Sequence, residues 1–198
     1  MKLNIIPDHV DIEVPDHLGG HQNRSHVDNG ALDYLIENYN IKTMVDVGQG
    51  PGAMVELARL KGLEAYGIDG DPTVKADVLH DYSTGPYSLD NRVDLAWSVE
   101  FLEHVNEEYL PNFMETFTGA DYVFCTAAKP GEPGHHHVNC QPAAYWISKF
   151  AEYGFIFDLA TTIKIRYDHS TMNKDRPLKK QFVRNNGLFF VKDNIAKL

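Results

Sequence analysis

Val45-Asp46-Val47-Gly48-Gln49-Gly50-Pro51-Gly52 runs an apolar strand ending into three glycines at alternate positions. A helical pattern starts at once, with Met54, Leu57, Ala58 and Leu60 apolar and Gly62 placed to end it. Glycine in such a loop lets the backbone turn sharply and lets a ligand approach with no Cβ in the way. Asp69 follows Gly48 by 21 residues, at the end of a second strand candidate, Glu64–Asp69. An acid there is placed to accept hydrogen bonds from ribose hydroxyls. Strand, loop, helix, strand and acid together read as a nucleoside-binding unit.

The nucleoside is a separate question. Gly48-x-Gly50-x-x-Ala53 also satisfies the loose dinucleotide fingerprint, so a nicotinamide cofactor has to be weighed. Against it, Asp46 stands two residues before the first glycine, where dinucleotide domains carry an apolar residue. A carboxylate beside the loop suits an ammonium or sulfonium group and opposes a pyrophosphate.

The flanking sequence alternates in the same way. Strand candidates are Thr43–Gly48, Glu64–Asp69, Ala76–Asp81, Val93–Val99 and Asp121–Ala127. Helices are expected from Ser25, with Ser25 or Asp28 as cap, and over residues 52–61, 107–117 and 141–153. The tail is β-rich at Phe155–Arg166 and Leu188–Lys192, with Asn185-Asn186-Gly187 as a turn. The predicted fold is α/β: a doubly wound, mainly parallel seven-stranded sheet with helices on both faces and a C-terminal antiparallel hairpin. Residues 1–24 read as an irregular lead-in or lid, and 25–198 as one domain.

Composition narrows the function. The net charge is -10, from 18 basic and 28 acidic side chains, a field that disfavours broad nucleic-acid binding. Cys125 and Cys140 suggest neither a disulfide framework nor a thiolate metal site. No signal-peptide or membrane-span pattern appears, so a protein of the reducing cytoplasm is expected, with no membrane partner.

Val45–Asp71 resembles the first two motifs of class I S-adenosylmethionine-dependent methyltransferases. Val93–Val105 (VDLAWSVEFLEHV) resembles that superfamily's fourth-strand motif, and the resemblance covers roughly residues 25–193. It implies that Asp46 and the Gly48, Gln49, Gly50 and Gly52 loop meet the methionine end of S-adenosylmethionine. Asp69 and Gly70 would meet the ribose, Asp81 and Tyr82 the adenine edge, and Ser98 and Val99 the floor. It also implies an enzyme that displaces the sulfonium methyl group onto an acceptor oxygen or nitrogen. Charge and size favour a small-molecule or sugar acceptor.

Glu100-Phe101-Leu102-Glu103-His104 places two acids and an imidazole at i, i+3 and i+4, on one face if a helix starts there. His135, His136 and His137 follow the fifth strand and come to the same rim. Glu100, Glu103, His104 and His137 together offer a divalent metal ion ligands with positions left for substrate oxygens. The pattern is similar to two O-methyltransferase groups, those of ubiquinone biosynthesis and those modifying small-RNA 3′ ends. Both carry Glu-x-x-Glu-His here. The other readings are a catalytic base, drawn from His104, His135, His136 and His137 with Glu100 beside them, and plain scaffolding.

Lys174, Arg176, Lys179, Lys180 and Arg184 form a basic stretch that reads as a solvated loop or an attractor of an anionic acceptor. Tyr145, Trp146 and Phe150 read as core. Two further classes stay open at this stage: a nicotinamide-dependent oxidoreductase and a catalytically silent nucleoside-binding domain.

Overall fold

Thr43–Val47 (β1), Glu64–Asp69 (β2), Val78–Leu79 (β3), Val93–Ser98 (β4), Ala120–Cys125 (β5), Phe155–Phe157 (β6) and Leu188–Lys192 (β7) form one sheet. Its order is β3-β2-β1-β4-β5-β7-β6 in a computed structural model that describes residues 14–196. Residues 1–13 of the expected lead-in lie outside the described residues. β1 is parallel to β2 and β4, and β4 to β5, so Gly48, Asp69 and Val99 emerge at one edge. β7 lies between β5 and β6 and is antiparallel to both, which is the ending that the β-rich tail implied.

The central strands are apolar on both sides because helices cover both faces. Asn29–Tyr39 (α1) and Ala53–Leu60 (α2) send Leu32, Leu35, Met54 and Ala58 against Met44, Leu95 and Trp97. On the other face Leu110–Thr118 (α3) and Ala143–Glu152 (α4) bring Phe113, Phe117, Trp146 and Phe150 against Val45, Ala96 and Val123. Each of the Leu, Met, Val and Phe side chains taken fully from water contributes about 1.5–3 kcal/mol. Trp146 and Phe150 are core as expected; Tyr145 is half-buried and donates from its hydroxyl to Glu107. No helix among the described residues is long and apolar enough to cross a membrane.

Two local expectations are corrected, and the cap of α1 is settled between its two candidates. The β-rich stretch stops at Phe157, and Leu159–Lys164 forms a helix (α5) that runs into a wide turn at Ile165–His169. Asp158 caps it by accepting from Thr161 N at 2.9 Å, and the buried Thr162 hydroxyl accepts from Phe189 N at 2.9 Å. The cap and that tertiary bond outweigh the local β preference of the threonines and isoleucines. Asn185 and Asn186 are the last residues of a short helix, Phe182–Asn186 (α6), ahead of β7; Asp193–Ala196 (α7) ends the described chain. Asp28, not Ser25, caps α1; Ser25 instead accepts from Ala53 N, at the start of α2.

Candidate active site

The glycine loop leaves β1 in a left-handed conformation three times, at Gly48 (φ 76°), Gly50 (φ 54°) and Gly52 (φ 87°). A side chain at any of them would be strained. Packing excludes one as well: a Cβ on Gly48 would lie 2.5 Å from the Phe101 ring, and one on Gly50 3.0 Å from His21 Cβ. Two carboxylates flank the loop. Asp69 accepts from Gly50 N at 2.8 Å and from Asp71 N at 2.9 Å, one bond on each oxygen, which leaves each oxygen able to accept another. Asp46 is 4% exposed, and burial together with the Asp69 charge pushes its carboxyl up to about 8. A cationic group between them would relieve that strain.

The loop opens on a cavity of about 410 Å³. Asp16–His21, Arg24 and His26 form one wall of it. His17 Nε2 donates to Asp81 Oδ2 at 2.8 Å and His21 Nε2 to Asp71 Oδ2 at 3.0 Å, while Leu18 packs where a Gly70 Cβ would be. Burial opposes the charge of Asp81, yet the bonds from His17 and Ser83 outweigh it and hold that carboxyl below its ordinary value.

Beyond β4 the chain turns at Glu100, whose φ of 57° is left-handed. The helix expected from Glu100 does not form; only a 3-10 turn at Leu102–His104 does. The Thr126 hydroxyl explains the bend, since it accepts from Glu100 N at 2.9 Å and donates to Glu100 Oε1 at 2.8 Å. Glu103 is fully buried, and neither of its carboxylate oxygens has a well-formed hydrogen bond among the described residues. His104 Nδ1 is likewise buried without one. His137 donates from Nδ1 to Glu132 O at 2.9 Å, which frees its Nε2. One ligand atom from each of Glu103, His104 and His137 falls within 4.8 Å of the others, and Glu100 is outside that trio. Burial raises the Glu100 carboxyl to about 7; burial and the Glu100 charge raise Glu103 well above its usual range. Burial, then neighbouring histidines, lowers His104 to about 4, so its imidazole is neutral at neutral pH.

No family model matches the sequence, and neither does any curated protein. Solved structures do match the fold. The sugar N-methyltransferase KedS8 from Streptoalloteichus sp ATCC 53650 aligns with a TM-score of 0.57 at 9% identity, over 97% of this chain and 98% of that one. Magnesium protoporphyrin IX methyltransferase (ChlM) from Synechocystis PCC 6803 with bound SAH aligns at 0.54 and 16% identity, over 92% and 90%. The methyltransferase domain of bacterial CtHen1-CN aligns at 0.54 and 15%, over 82% and 95%. The chain spans about half (47%) of the mitomycin 7-O-methyltransferase MmcR, which it matches with a TM-score of 0.50.

The fold is that of the class I S-adenosylmethionine-dependent methyltransferases.

Within this methyltransferase fold the cavity wall unites Asp46, Gly48, Gly50, Asp69, Gly70 and Asp81 with Tyr82, Val99, Glu100, His104 and His136. Other expected residues turn elsewhere. Ser98 donates to Val47 O at 2.9 Å, is fully buried and forms no part of the wall. Gln49 does line the wall, but its side-chain amide turns away, donating to Gly50 O and Lys75 O, with its oxygen in the place of a Gly67 Cβ. Gly52 opens α2 outside the cavity wall. Tyr82 spends its hydroxyl on Thr116. His135 Nε2 donates to Asp16 O, away from the trio. Sequence reasoning missed His17, Leu18, Arg24, His26 and Phe101 as wall residues. The density of histidine and glycine between His17 and His26 was the available signal.

Proposed function

We propose that this chain binds S-adenosylmethionine in the cavity and transfers its methyl group to a hydroxyl of a small-molecule or sugar acceptor. The pairing of buried Asp46 with Asp69 on a left-handed glycine loop is the observation that carries this reading. Two carboxylates favour a ligand that is cationic at one end and carries ribose hydroxyls; they would repel a pyrophosphate, which weighs against a nicotinamide dinucleotide. The cavity volume lies in the range of small-ligand sites. Arg24 and His26 in its wall suit the amino-acid carboxylate.

The sulfonium supplies an electrophilic methyl group with a neutral leaving group. Side chains then have to orient the acceptor, take up its proton and exclude water. Glu100 and the neutral His104 both line the cavity, and Glu100, raised to about 7 by burial, has the basicity that suits proton uptake near neutral pH. Residues 14–24 serve as a lid: the His17–Asp81 and His21–Asp71 bonds close the adenosine side against water. The trio Glu103, His104 and His137 also suits a divalent cation, because the buried Glu103 oxygens and His104 Nδ1 have no well-formed hydrogen bond among the described residues. A cation there would make an acceptor hydroxyl more acidic.

Calorimetric titration of the protein with S-adenosylhomocysteine and with NAD tests the reading. Binding of the first and not the second is expected; the reverse overturns it.

A further inference from the structure

Residues 164–184 hold seven of the chain's 18 Lys and Arg residues but only two of its 28 Asp and Glu residues. Lys174, Arg176, Lys179 and Lys180 are exposed, and among the described residues none has a carboxylate within ion-pair distance. The loop that carries them is well tied. Asn173 adopts a left-handed φ of 53°, and its amide donates to Lys180 O at 2.7 Å. The buried Gln181 amide donates to Arg176 O at 2.6 Å and to Lys174 O at 3.3 Å. A folded loop thus holds four like charges side by side, an arrangement whose self-repulsion an anion would relieve.

Its position gives that anion a role. The Phe182 ring meets the His26 ring edge-on at 4.9 Å, and His26 and Arg24 line the cavity. Burial, then the charges of Arg24 and Lys180, lowers the basicity of His26, so the positive potential reaches the mouth. At the far end Lys129 Nζ donates to Asn185 O at 3.1 Å, which joins the segment to the loop bearing His135–His137. The basic loop therefore runs, through Lys180 and Phe182, up to the Arg24–His26 side of the mouth.

We propose that the acceptor is a small molecule carrying a phosphate group, which Lys174, Arg176, Lys179 and Lys180 bind while its hydroxyl enters the cavity. This rests on the methyl-transfer reading. Phosphate is the anion that a dense set of Lys and Arg donors recognises best. A nucleic-acid strand fits less well, because outside this segment acidic residues outnumber basic ones by more than two to one.

The test saturates the full chain with S-adenosylhomocysteine and titrates inorganic phosphate at low salt, following the His26 ring signals by NMR. The comparison protein is the Arg176→Ala/Lys179→Ala/Lys180→Ala variant. These side chains are exposed and the loop is tied through backbone carbonyls, so the variant keeps the fold. Saturable movement of the His26 signals is expected, with phosphate binding weaker by about tenfold or more in the variant and by added salt. S-adenosylhomocysteine affinity should be equal in both proteins. No saturable response, or an equal one in the variant, overturns the inference and leaves the methyl-transfer reading intact. A single-stranded oligonucleotide that binds about a hundredfold tighter than phosphate, and loses that binding in the variant, overturns it in favour of a strand. Failure of the parent to bind S-adenosylhomocysteine overturns the methyl-transfer reading and this inference with it.

Discussion

Asp46→Asn should stabilise the free protein and weaken its ligand, and both effects should depend on pH. The Asp46 carboxyl lies at 4% exposure beside Asp69 and is pushed from the ordinary 3.8 up to about 8 by burial and then by that neighbour. A raised acid favours the neutral form. Its ionisation therefore costs nothing below about pH 4, costs progressively more as pH rises, and levels off above about pH 8. At about 1.4 kcal/mol per pH unit the cost reaches about 4 kcal/mol at pH 7, and asparagine removes it. The stability gain of the variant in urea unfolding should thus grow from near zero at about pH 4 to its full value near pH 8. Binding runs the other way. A cationic ligand requires the ionised carboxylate, so S-adenosylmethionine should bind the parent more tightly as pH rises toward 8, releasing a proton at neutral pH. Calorimetry in two buffers of different ionisation enthalpy measures that proton. The variant should release none and should bind about 1.5–3 kcal/mol more weakly. Parent affinity that is flat from about pH 6 to 8, or a variant no more stable at high pH than at low, would refute the assignment.

Three further outcomes are expected. Asp69→Ala should weaken S-adenosylhomocysteine by about 1.5–3 kcal/mol, read by calorimetry; unchanged affinity would mean that Asp69 is not the ribose acid. Gly67→Ala should lower stability by about 1–3 kcal/mol, because its Cβ falls on the Gln49 amide, and adding Gln49→Ala should restore much of the loss in thermal melts. Titration of the chelated protein with manganese should give one site that Glu103→Gln abolishes. Full methyl transfer after chelation, with near-normal turnover in the His104→Ala and His137→Ala variants, would leave the cluster as scaffolding.

The parallel sheet and its ligand edge were legible because two independent signals coincide there. Strand periodicity located β1, β2, β4 and β5 to within two residues, and the alternate glycines require a left-handed backbone that few other residues tolerate. What failed to show in the sequence depends on contacts distant in the chain. Leu159–Arg166 reads as strand until Asp158 and Phe189 claim its threonines. Glu100 reads as a helix start until Thr126, 26 residues away, bends it. Gln49 sits within the motif, yet its side-chain amide is spent on Gly50 and Lys75 and fills the space beside Gly67. The lead-in was hardest, since a short polar stretch has no period, and His17 and His21 acquire meaning only from Asp81 and Asp71.

The net charge of -10 conceals two local excesses of opposite sign. The charge of Asp69 raises the cost of ionising Asp46, and the four loop cations repel one another in the same way. Each excess is relieved by a partner of the other sign, and among the described residues no side chain forms an ion pair with Asp46, Asp69 or the four loop cations. A sulfonium nucleoside answers the first excess. It does not answer the second, because Lys174, Arg176, Lys179 and Lys180 all lie outside the cavity wall, whereas Arg24 and His26 inside it already suit the cofactor's carboxylate. On the methyl-transfer proposal, the basic loop is left to a second, anionic ligand held at the mouth while the cofactor is in place. In a methyl-transfer reaction the molecule that must be present at that moment is the acceptor.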